Sequence, residues 1–460
     1  MQQYLIYDAN NTPAAALSLL DLFEQFAAQP WAMLLDSADA SHPNSRYQIM
    51  VAEPLATLVS QQGSTVLHDE HGSHHYTIDP FKVLDCALKR YFPEPATTPL
   101  PFCGGALGYF GYDLGRYLEK VPTIAENTLQ LPDMAIGLYC WALIFDQHKQ
   151  QLWFSDYSGK AEENWLKLQQ RLARSATQTN SFCLTSAWQA NMTELQYQQK
   201  FARVQEELKS GNCYQINLAQ RFHASYQGDE WQAYRLLREK NAAPFSAFIR
   251  LANATVISIS PERFLQLKAG MIETKPIKGT RPRGTCAVSD QAEAAALQLS
   301  PKDRAENVMI VDLLRNDIGK VSTPGSVKVP ALFAIESFPA VHHLVSTISG
   351  QLAAPYTACD LLRGAFPGGS ITGAPKISAM QIIEQLEPHR RHVYCGAIGY
   401  ISSNGDMDTN IAIRTLVCEQ HTIYCWAGGG VVADSKADSE YQETLDKVAR
   451  ILPVLSAIAG

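Results

Sequence analysis

The sequence has 460 residues, of which 46% are hydrophobic and 18% charged, with a formal net charge of −7; such a chain can bury a large apolar core, and we expect one structural domain over residues 1–460. The mild negative charge and the lack of basic runs interleaved with aromatic residues argue against a nucleic acid partner. The amino terminus does not resemble a signal peptide, the longest apolar run is too short to span a bilayer, and the ten scattered cysteines are typical of reduced thiols, so we expect a cytoplasmic protein without a membrane partner.

The N-terminal region, residues 1–175, contains short strand-like runs among helices, of which 65–67 and 137–145 are the clearest. The polar stretch 175–185 is the best candidate boundary. Helical and strand signals are clearer in the region that follows, residues 190–452.

This second region opens with a helix from about Thr193 to Lys209. Thr193 is a typical N-cap, Gln196 completes a capping box and Gly211 ends the helix. Residues 254–267 are then typical of a single strand.

Another helix begins after Ser300, its N-cap, and carries apolar residues nearly all round, so we expect it to be buried. Residues 393–428 predict an antiparallel meander with turns at 402–405 and near 419–420. A last helix runs from about 438 to 452. Because strands and helices do not alternate strictly, the pattern favours an α+β fold over a doubly wound sheet.

A glycine-rich turn, FPGGSITGAPK at residues 366–376, leads into a helix whose first position we assign to Pro375. Exposed N–H groups at a helix start bind carboxylate or phosphate. The glycine–lysine spacing excludes a P-loop, and an ordinary tight turn before a helix explains the pattern equally well.

Two glutamates, Glu306 and Glu443, are candidate metal ligands. Glu306 shares its helical face with the apolar Ile310, where a carboxylate is costly unless it is neutralised. Glu443 shares a helical face with Glu440 and Lys447 at spacings of three and four. Carboxylates without thiols or histidines suit Mg²⁺. A buried salt bridge at Glu306 and a solvated charged helix face at Glu440 and Lys447 are the alternatives.

A possible acid/base group and a possible nucleophile follow one another in the sequence. A strand ends at Glu262, where a carboxylate could act as general acid or base. Lys278 lies in a strand-like stretch closed by Gly279, near Lys275 and Arg281. A desolvated lysine near other cations can lose its proton and become a nucleophile. Most lysines lie at the surface, and spacing alone favours that alternative.

Three consecutive glycines, Gly428, Gly429 and Gly430, follow an apolar strand, with Arg414 on the neighbouring strand of the predicted hairpin. The glycines would leave backbone N–H groups open to a ligand, and Arg414 offers a bidentate fork for a carboxylate. A flexible bulge and a surface arginine are equally compatible alternatives. Together these features predict a cation-assisted site for a small dianion, with one nucleophile and one acid/base group.

The segments that carry these residues resemble one known family. They are SPERF, KPIKGTRPRG, DRAENVMIVDLLRND, AFPGGSITGAPKISAM, RRHVYCGAIGY, IAIRT, AGGGVVADS and EYQET. In this order they resemble the chorismate-utilising enzymes, which include anthranilate, aminodeoxychorismate, isochorismate and salicylate synthases. The resemblance implies the family's α+β fold, in which two large antiparallel β-sheets pack as a sandwich with helices outside.

The resemblance also implies roles for the matching residues. Glu306 and Glu443 resemble the Mg²⁺ ligands, with Glu440 nearby. Glu262 matches the general acid that assists loss of the C4 hydroxyl, and His343 matches an active-site histidine. The residues that resemble the chorismate contacts are Thr372, Tyr394, Arg414, Lys447 and the backbone of Gly428, Gly429 and Gly430.

Two positions distinguish the branches of this family. Members that add water at C2 carry a lysine where this chain has Gln215, which we take as a substrate-facing position. Anthranilate synthases have alanine where Lys278 stands in PIKGT, whereas aminodeoxychorismate synthases have the lysine. The resemblance therefore predicts amination of chorismate at C4 through a Lys278 adduct, in the direction of p-aminobenzoate and folate. No segment resembles a glutaminase nucleophile elbow, so a glutaminase (glutamine amidotransferase) subunit is expected as the partner that supplies ammonia.

The N-terminal half of related chains forms a tryptophan pocket, and Ser37, Pro244 and Phe245 resemble its lining. Tryptophan is therefore a candidate ligand. Two alternatives to the expected activity remain open: the large subunit of anthranilate synthase, and a catalytically silent protein that senses tryptophan on the same fold.

Overall fold

Extended strands make up the largest part of the computed structural model, which describes residues 2–8, 18–38, 45–172, 180–337 and 341–457. The strands are β1 Gln2–Asp8, β2 Met33–Asp36, β3 Tyr47–Val51, β4 Ala56–Gln61, β5 Ser64–Asp69, β6 Gly72–Tyr76, β7 Gly105–Phe110, β8 Met134–Tyr139, β9 Trp141–Asp146, β10 Gln151–Asp156, β11 Cys183–Leu184, β12 Gln189–Ala190, β13 Gln215–Gln227, β14 Phe245–Arg250, β15 Ala254–Ser260, β16 Arg263–Lys268, β17 Met271–Thr274, β18 Ile277–Pro282, β19 Lys328–Ser337, β20 Val341–Gln351, β21 Gly373–Ala374, β22 Ala397–Ser402, β23 Met407–Ile411, β24 Thr415–Glu419 and β25 Thr422–Val431.

The helices lie between these strands in the chain. They are α1 Leu19–Glu24, α2 Pro80–Tyr91, α3 Ala161–Leu172, α4 Glu194–Lys209, α5 Glu230–Asn241, α6 Ala287–Leu299, α7 Pro301–Gly319, α8 Ala358–Ala365, α9 Lys376–Leu386, α10 Ala437–Val448 and α11 Leu452–Ser456, with 3₁₀ turns at Tyr112–Tyr117 and Gly369–Ile371.

The strands form two sheets. The first has the order β1-β10-β9-β3-β2-β14-β15-β24-β25-β13-β11, with β12 and β21 also paired to β13; the second has the order β18-β20-β17-β16-β23-β22-β7-β8-β4-β5-β6, with β19 paired to β20. Strands from both halves of the chain interleave, since β2 pairs with β14 in the first sheet and β7 pairs with β22 in the second, in antiparallel register.

The main core lies between the two sheets. Along β14, Ala247 and Ile249 belong to the cluster of buried residues that also contains Leu107 and Ile398 of the second sheet. Phe248 points the other way, into a cluster under the outer helices, because successive side chains of a strand alternate between its faces. The predicted α+β sandwich of two antiparallel sheets with helices outside is therefore confirmed.

Three segments that we predicted as a single strand or a single sheet are instead divided between the two sheets. Residues 254–267 are two strands, β15 in the first sheet and β16 in the second, and 137–145 likewise divides into β8 and β9. The predicted meander at 393–428 is two hairpins, β22–β23 in the second sheet and β24–β25 in the first. The predicted turns are correct, but local patterns cannot show which sheet a strand joins.

The helix predictions need smaller corrections. Helix α4 has the predicted capping box between Thr193 and Gln196. Helix α7 is buried on one face only, because Val308 on its other face is 41% exposed. The last predicted helix ends at Val448 and a separate short helix, α11, follows. Residues 175–179 of the predicted boundary lie outside the described residues.

Candidate active site

Two crossings between the sheets place Glu262 beside the segment that carries Arg414. The Ile411 amide donates to the Glu262 carbonyl over 3.0 Å, and the Ile259 amide donates to the Arg414 carbonyl over 3.0 Å. Arg414 has a φ of 50° and precedes β24, so it lies in the crossing and not on a strand as we predicted. Its guanidinium has no carboxylate partner among the described residues, and burial lowers its pKa.

Lys278 lies on β18 at the edge of this region. Its Nζ donates to the Ser370 carbonyl over 3.0 Å, and the side chain is half-buried. Burial lowers the pKa of the amine; Glu262, Glu306 and Glu443 oppose this shift, and Lys447 adds to it. Lys278 is therefore half-buried and close to the carboxylates, not fully exposed at the surface, and its role as nucleophile stays a prediction.

Glu262 itself is 7% exposed. Burial raises the pKa of its carboxyl, while Lys278, the Ile277 amide, Lys447 and the Ser370 hydroxyl lower it. A raised pKa favours the protonated carboxyl, which is the form that can deliver a proton to a leaving group. The environment of Glu262 thus suits the predicted general acid.

Three carboxylates approach from two helices. The Lys302 Nζ lies 4.0 Å from both Glu306 on α7 and Glu440 on α10, so Lys302 bridges the helices. Glu443 is 46% exposed and pairs with the Lys447 amine at 2.7 Å. Burial raises the pKa of Glu306 and of Glu440, and the charge of Glu440 adds to the shift at Glu306.

The carboxylates of Glu306, Glu440 and Glu443 are not arranged as a complete set of metal ligands. The described residues contain no group of three or more His, Cys, Asp or Glu side chains arranged to hold a metal ion. Ser435 donates to Glu440 Oε1 over 2.6 Å, but the buried Oε2 has no hydrogen-bond partner. An orphaned carboxylate oxygen beside other carboxylates fits a hard cation.

Gly428, Gly429 and Gly430 lie on β25, and β13 pairs with one edge of this part of the strand. The pairing with β24 ends at Cys425, so no described strand covers the other edge of the glycines. Lys447 Nζ donates to the Gly428 carbonyl there over 2.7 Å. A Cβ at Gly429 would stand 2.9 Å from Glu440 Oε2 and 3.2 Å from Glu443 Oε1. The glycines are therefore part of a paired strand and not a flexible bulge, and they are needed because site side chains pack directly against them.

Gln215 is fully buried against Gly430, and neither atom of its amide has a hydrogen-bond partner. Thr372 is also fully buried; its hydroxyl donates to the Gly368 carbonyl over 2.8 Å. The glycine-rich turn that contains Thr372 leads into α9. Pro375 is the N-cap of this helix, whereas we predicted it at the first helical position. Its Ser370 also touches the site, as described above.

Two further predicted residues border the same region. His343 on β20 faces Thr280 of β18, with 2.9 Å between its Nδ1 and the Thr280 hydroxyl. Tyr394 is 3% exposed and stacks on Trp426, with ring centroids 6.3 Å apart. The structure thus brings most of the sequence-predicted residues to one region of the sandwich.

Sequence reasoning missed several contributors. Lys302 could have been found, since it stands four residues before Glu306 on the same helix. Asn217, whose buried Oδ1 lacks a partner, carried no sequence signal of its own. Ser370 lies inside the glycine-rich turn at 366–376 that we singled out, but its contact with Lys278 depends on the fold.

The residues of the predicted tryptophan pocket line a cavity to which strands of both sheets contribute. Ser37, Pro244 and Phe245 line one cavity of about 820 Å³. Arg263 lines it too: its guanidinium lies 5.0 Å from the Phe245 ring centroid and pairs with Asp408 at 2.9 Å. Glu262 and Arg263 are consecutive, but of the two only Arg263 lines the cavity.

No helix in the described ranges is long and apolar enough to cross a membrane. Comparison with known proteins places this arrangement in a family. Residues 32–453 match the model of the chorismate binding enzymes. The chain is 56% identical over 425 residues to "Aminodeoxychorismate synthase component 1" of Salmonella typhimurium, covering 92% of each chain. It is 53% identical over 437 residues to the protein of the same name from Klebsiella aerogenes, covering 95% of this chain and 96% of the other.

A solved structure shows the same relationship. Anthranilate synthase component I from Streptococcus pneumoniae superposes with a TM-score of 0.78 at 32% sequence identity, over 90% of this chain and 93% of the other. The shared fold, the long matches and the clustered site residues lead to one conclusion: this chain belongs to the family of chorismate binding enzymes.

Proposed function

We propose that the chain converts chorismate and ammonia to 4-amino-4-deoxychorismate, as an aminotransferring synthase component. The observation that carries this proposal is the position of the Lys278 amine, half-buried and surrounded by Glu262, Glu306 and Glu443. The names of the relatives at 53% and 56% identity support it. The ten cysteines, all free, agree with a reducing cytoplasm.

The two carboxylates of chorismate need cationic partners. Arg414, which has no carboxylate partner among the described residues, would hold one of them through its fork of N–H donors. A Mg²⁺ held by Glu306, Glu440 and Glu443 would supply charge neutralisation for the other. The open edge of Gly428–Gly430 would offer backbone N–H groups to the same ligand.

Lys278 then acts as nucleophile. Its neutral Nζ forms a bond to C2, the two ring double bonds shift, and the C4–O bond breaks while Glu262 protonates the departing hydroxyl to give water. Ammonia next bonds to C4, the double bonds shift back, and the C2–Nζ bond breaks. Glu262 receives the proton that ammonia loses. Two displacements replace one difficult direct substitution.

The test compares Lys278→Ala with Lys275→Ala, a half-buried lysine that pairs with Glu336 at 3.1 Å. With chorismate, Mg²⁺ and saturating ammonium, Lys278→Ala should lose about 10²-fold or more of its turnover, and the control should keep it. Mass identification of the product distinguishes the alternative, because an anthranilate synthase releases pyruvate and fluorescent anthranilate. Undiminished amination by Lys278→Ala would remove the covalent step.

Ammonia is proposed to come from a separate glutaminase subunit. Glutamine should support turnover only when such a subunit is added, whereas ammonium should support turnover by the isolated chain. Glutamine-dependent turnover by the isolated chain would contradict this assignment.

Tryptophan is proposed as the ligand of the cavity lined by Ser37, Pro244 and Phe245. The cavity offers the apolar surface of residues such as Phe245, Ile49 and Leu35 for an indole ring. Calorimetric titration with L-tryptophan should show saturable binding that Phe245→Ala weakens. An absence of heat up to millimolar concentrations would end this proposal.

A further inference from the structure

One buried arginine in the described ranges has no carboxylate at ion-pair distance, although the more distant Glu126 acts on its charge. Three arginines are at most 9% exposed: Arg391, Arg263 and Arg221. Arg391 pairs with Glu387 at 2.6 Å and Arg263 with Asp408 at 2.9 Å, whereas Arg221 has no carboxylate at ion-pair distance in the part of the chain that the structure describes. An uncompensated buried charge is costly.

Arg221 lies on β13 directly opposite Trp426 of β25. Its guanidinium carbon stands 5.0 Å from the Tyr424 ring centroid and 5.9 Å from that of Trp426. One terminal nitrogen donates to the Thr128 hydroxyl over 2.7 Å, but the buried Nε has no partner. The aromatic faces and a neutral hydroxyl offset only part of the cost of burying this charge.

Other nitrogen atoms around Arg221 are orphaned as well. Buried atoms without a hydrogen-bond partner include Trp426 Nε1, His392 Nε2, His223 Nδ1 and Arg390 Nε. The rings of His392 and Trp426 have centroids 6.4 Å apart, and His223 lies 6.2 Å from Tyr424. An unsatisfied buried polar atom is costly, and the guanidinium and indole nitrogens among these atoms can only donate, so their concentration around Arg221 indicates a missing acceptor.

The neighbouring carboxylates do not fill this role. Asp113 already accepts from Arg116 and from the backbone amide of His392. Glu126 is 71% exposed and approaches His389 instead. Bound water could accept from the orphaned donors, but it would not balance the guanidinium charge.

We propose that Arg221, Trp426 and His392 form a binding site for one small monovalent anion of the halide or bicarbonate class. The orphaned atoms are nitrogens, and those of Arg221 and Trp426 can only donate, which suits an anion that accepts hydrogen bonds. They are buried between the β13–β25 ribbon and the segment around Thr128, which favours a single enclosed ion over an extended metabolite. The argument for this site does not rest on the proposed activity, although Trp426 stacks on Tyr394, which is a predicted chorismate contact.

Chloride is the probe, replaced by gluconate at constant ionic strength. The melting temperature should rise saturably with chloride, by about 3 °C at a hundredfold excess over Kd. Arg221→Met should abolish this rise. Trp426→Phe, which keeps the ring and removes one donor, should raise the chloride Kd several-fold. The matched control is Trp231→Phe, because Trp231 is buried with an orphaned Nε1 too but lies in the outer cluster under α5, and it should leave the chloride dependence unchanged.

Crystals soaked in bromide provide a test that needs no variant. An anomalous peak within hydrogen-bond distance of Arg221 Nε and Trp426 Nε1 is expected. Ordinary water density at that position, or a chloride effect that is the same in Arg221→Met and the unaltered protein, overturns the proposal.

Discussion

Replacing Glu440 with glutamine separates the proposed metal site from the stability of the fold. Glu440 is 3% exposed, its Oε2 has no hydrogen-bond partner, and burial and the charge of Glu443 raise its pKa. A raised carboxyl pKa means that the ionised form is disfavoured in the folded state, so at neutral pH the ionised group lowers the free energy of unfolding. Without metal, Glu440→Gln should therefore be more stable than the unaltered protein.

The expected sizes follow from burial and chain length. An orphaned buried polar group costs about 1–3 kcal/mol. The unfolding entropy of a chain of this length is about 1 kcal/mol per kelvin. The melting temperature of the metal-free variant should therefore be about 1–3 °C higher than that of the unaltered protein. Mg²⁺ at a hundredfold excess over its Kd adds about 2.7 kcal/mol to a protein that binds it, or about 3 °C. Glu440→Gln should lose most of this second increment.

The assay is calorimetry with EDTA and with a Mg²⁺ titration. The control is Glu163→Gln, because Glu163 is 56% exposed and pairs with the exposed Lys167, and this change should leave both melting temperatures unaltered. If Glu440→Gln keeps the full Mg²⁺ increment, the three carboxylates are not the metal site. If it is less stable without metal, the argument from the orphaned oxygen is wrong.

Three further changes test other parts of the structure. Gly429→Ala places a Cβ 2.9 Å from a site carboxylate. It should lower kcat/KM at least tenfold while the circular dichroism spectrum stays unchanged. The control is Gly319→Ala, whose Cβ would have no described atom within 4 Å, and it should keep full activity. Arg391→Met leaves Glu387 buried without its partner, which costs about 3–5 kcal/mol of stability and lowers the melting temperature by about 3–5 °C. Adding Glu387→Gln to this variant should restore part of the loss. Equal melting temperatures of the single and the double variant would contradict this expectation. Burial lowers the pKa of His392 from 6.5 to about 4. Between these pH values the unfolded chain binds a proton that the folded chain does not, so the free energy of unfolding falls by about 3 kcal/mol as the pH drops from 6.5 to 4. In chloride-free buffer His392→Asn should lose less stability over this range, and an identical pH dependence of stability in the variant and the unaltered protein would refute the argument.

Local signals predicted much of the fold. The capping box of α4, the N-cap at Ser300 and the turn at 402–405 depend on neighbouring residues only, and the structure has all three. The resemblance of the motifs to a family supplied the two-sheet architecture. Neither source could place Val308 on the exposed face of α7, because apolar residues all round a helix do not reveal which neighbours cover it.

The assignment of strands to sheets was beyond a local pattern. The run 254–267 contains β-branched residues before Pro261 and the apolar Phe264, Leu265 and Leu267 after it, so it looks like one strand. The division at Pro261 and Glu262 depends on β24 pairing with β15 and on β23 pairing with β16, and those partners lie about 150 residues away along the chain. Pairing over such separations is decided by the packed sandwich and not by the strand itself.

The same long-range pairing explains why the site residues looked ordinary in the sequence. Glu262 and Arg414 each sit where the chain leaves one sheet for the other, and these two crossings lie together because β15 pairs with β24 and β16 with β23. A residue in a crossing belongs to neither ladder, so its side chain can point along the gap between sheets rather than into a packed layer. Lys278 acquires its carboxylate neighbours in this way, from a crossing and from two helices that are remote in sequence. Its chemistry therefore depends on the fold as a whole, and a lysine moved two residues along β18 would have the same local sequence signals but lose the proximity to Glu262 on which the proposed proton transfer depends.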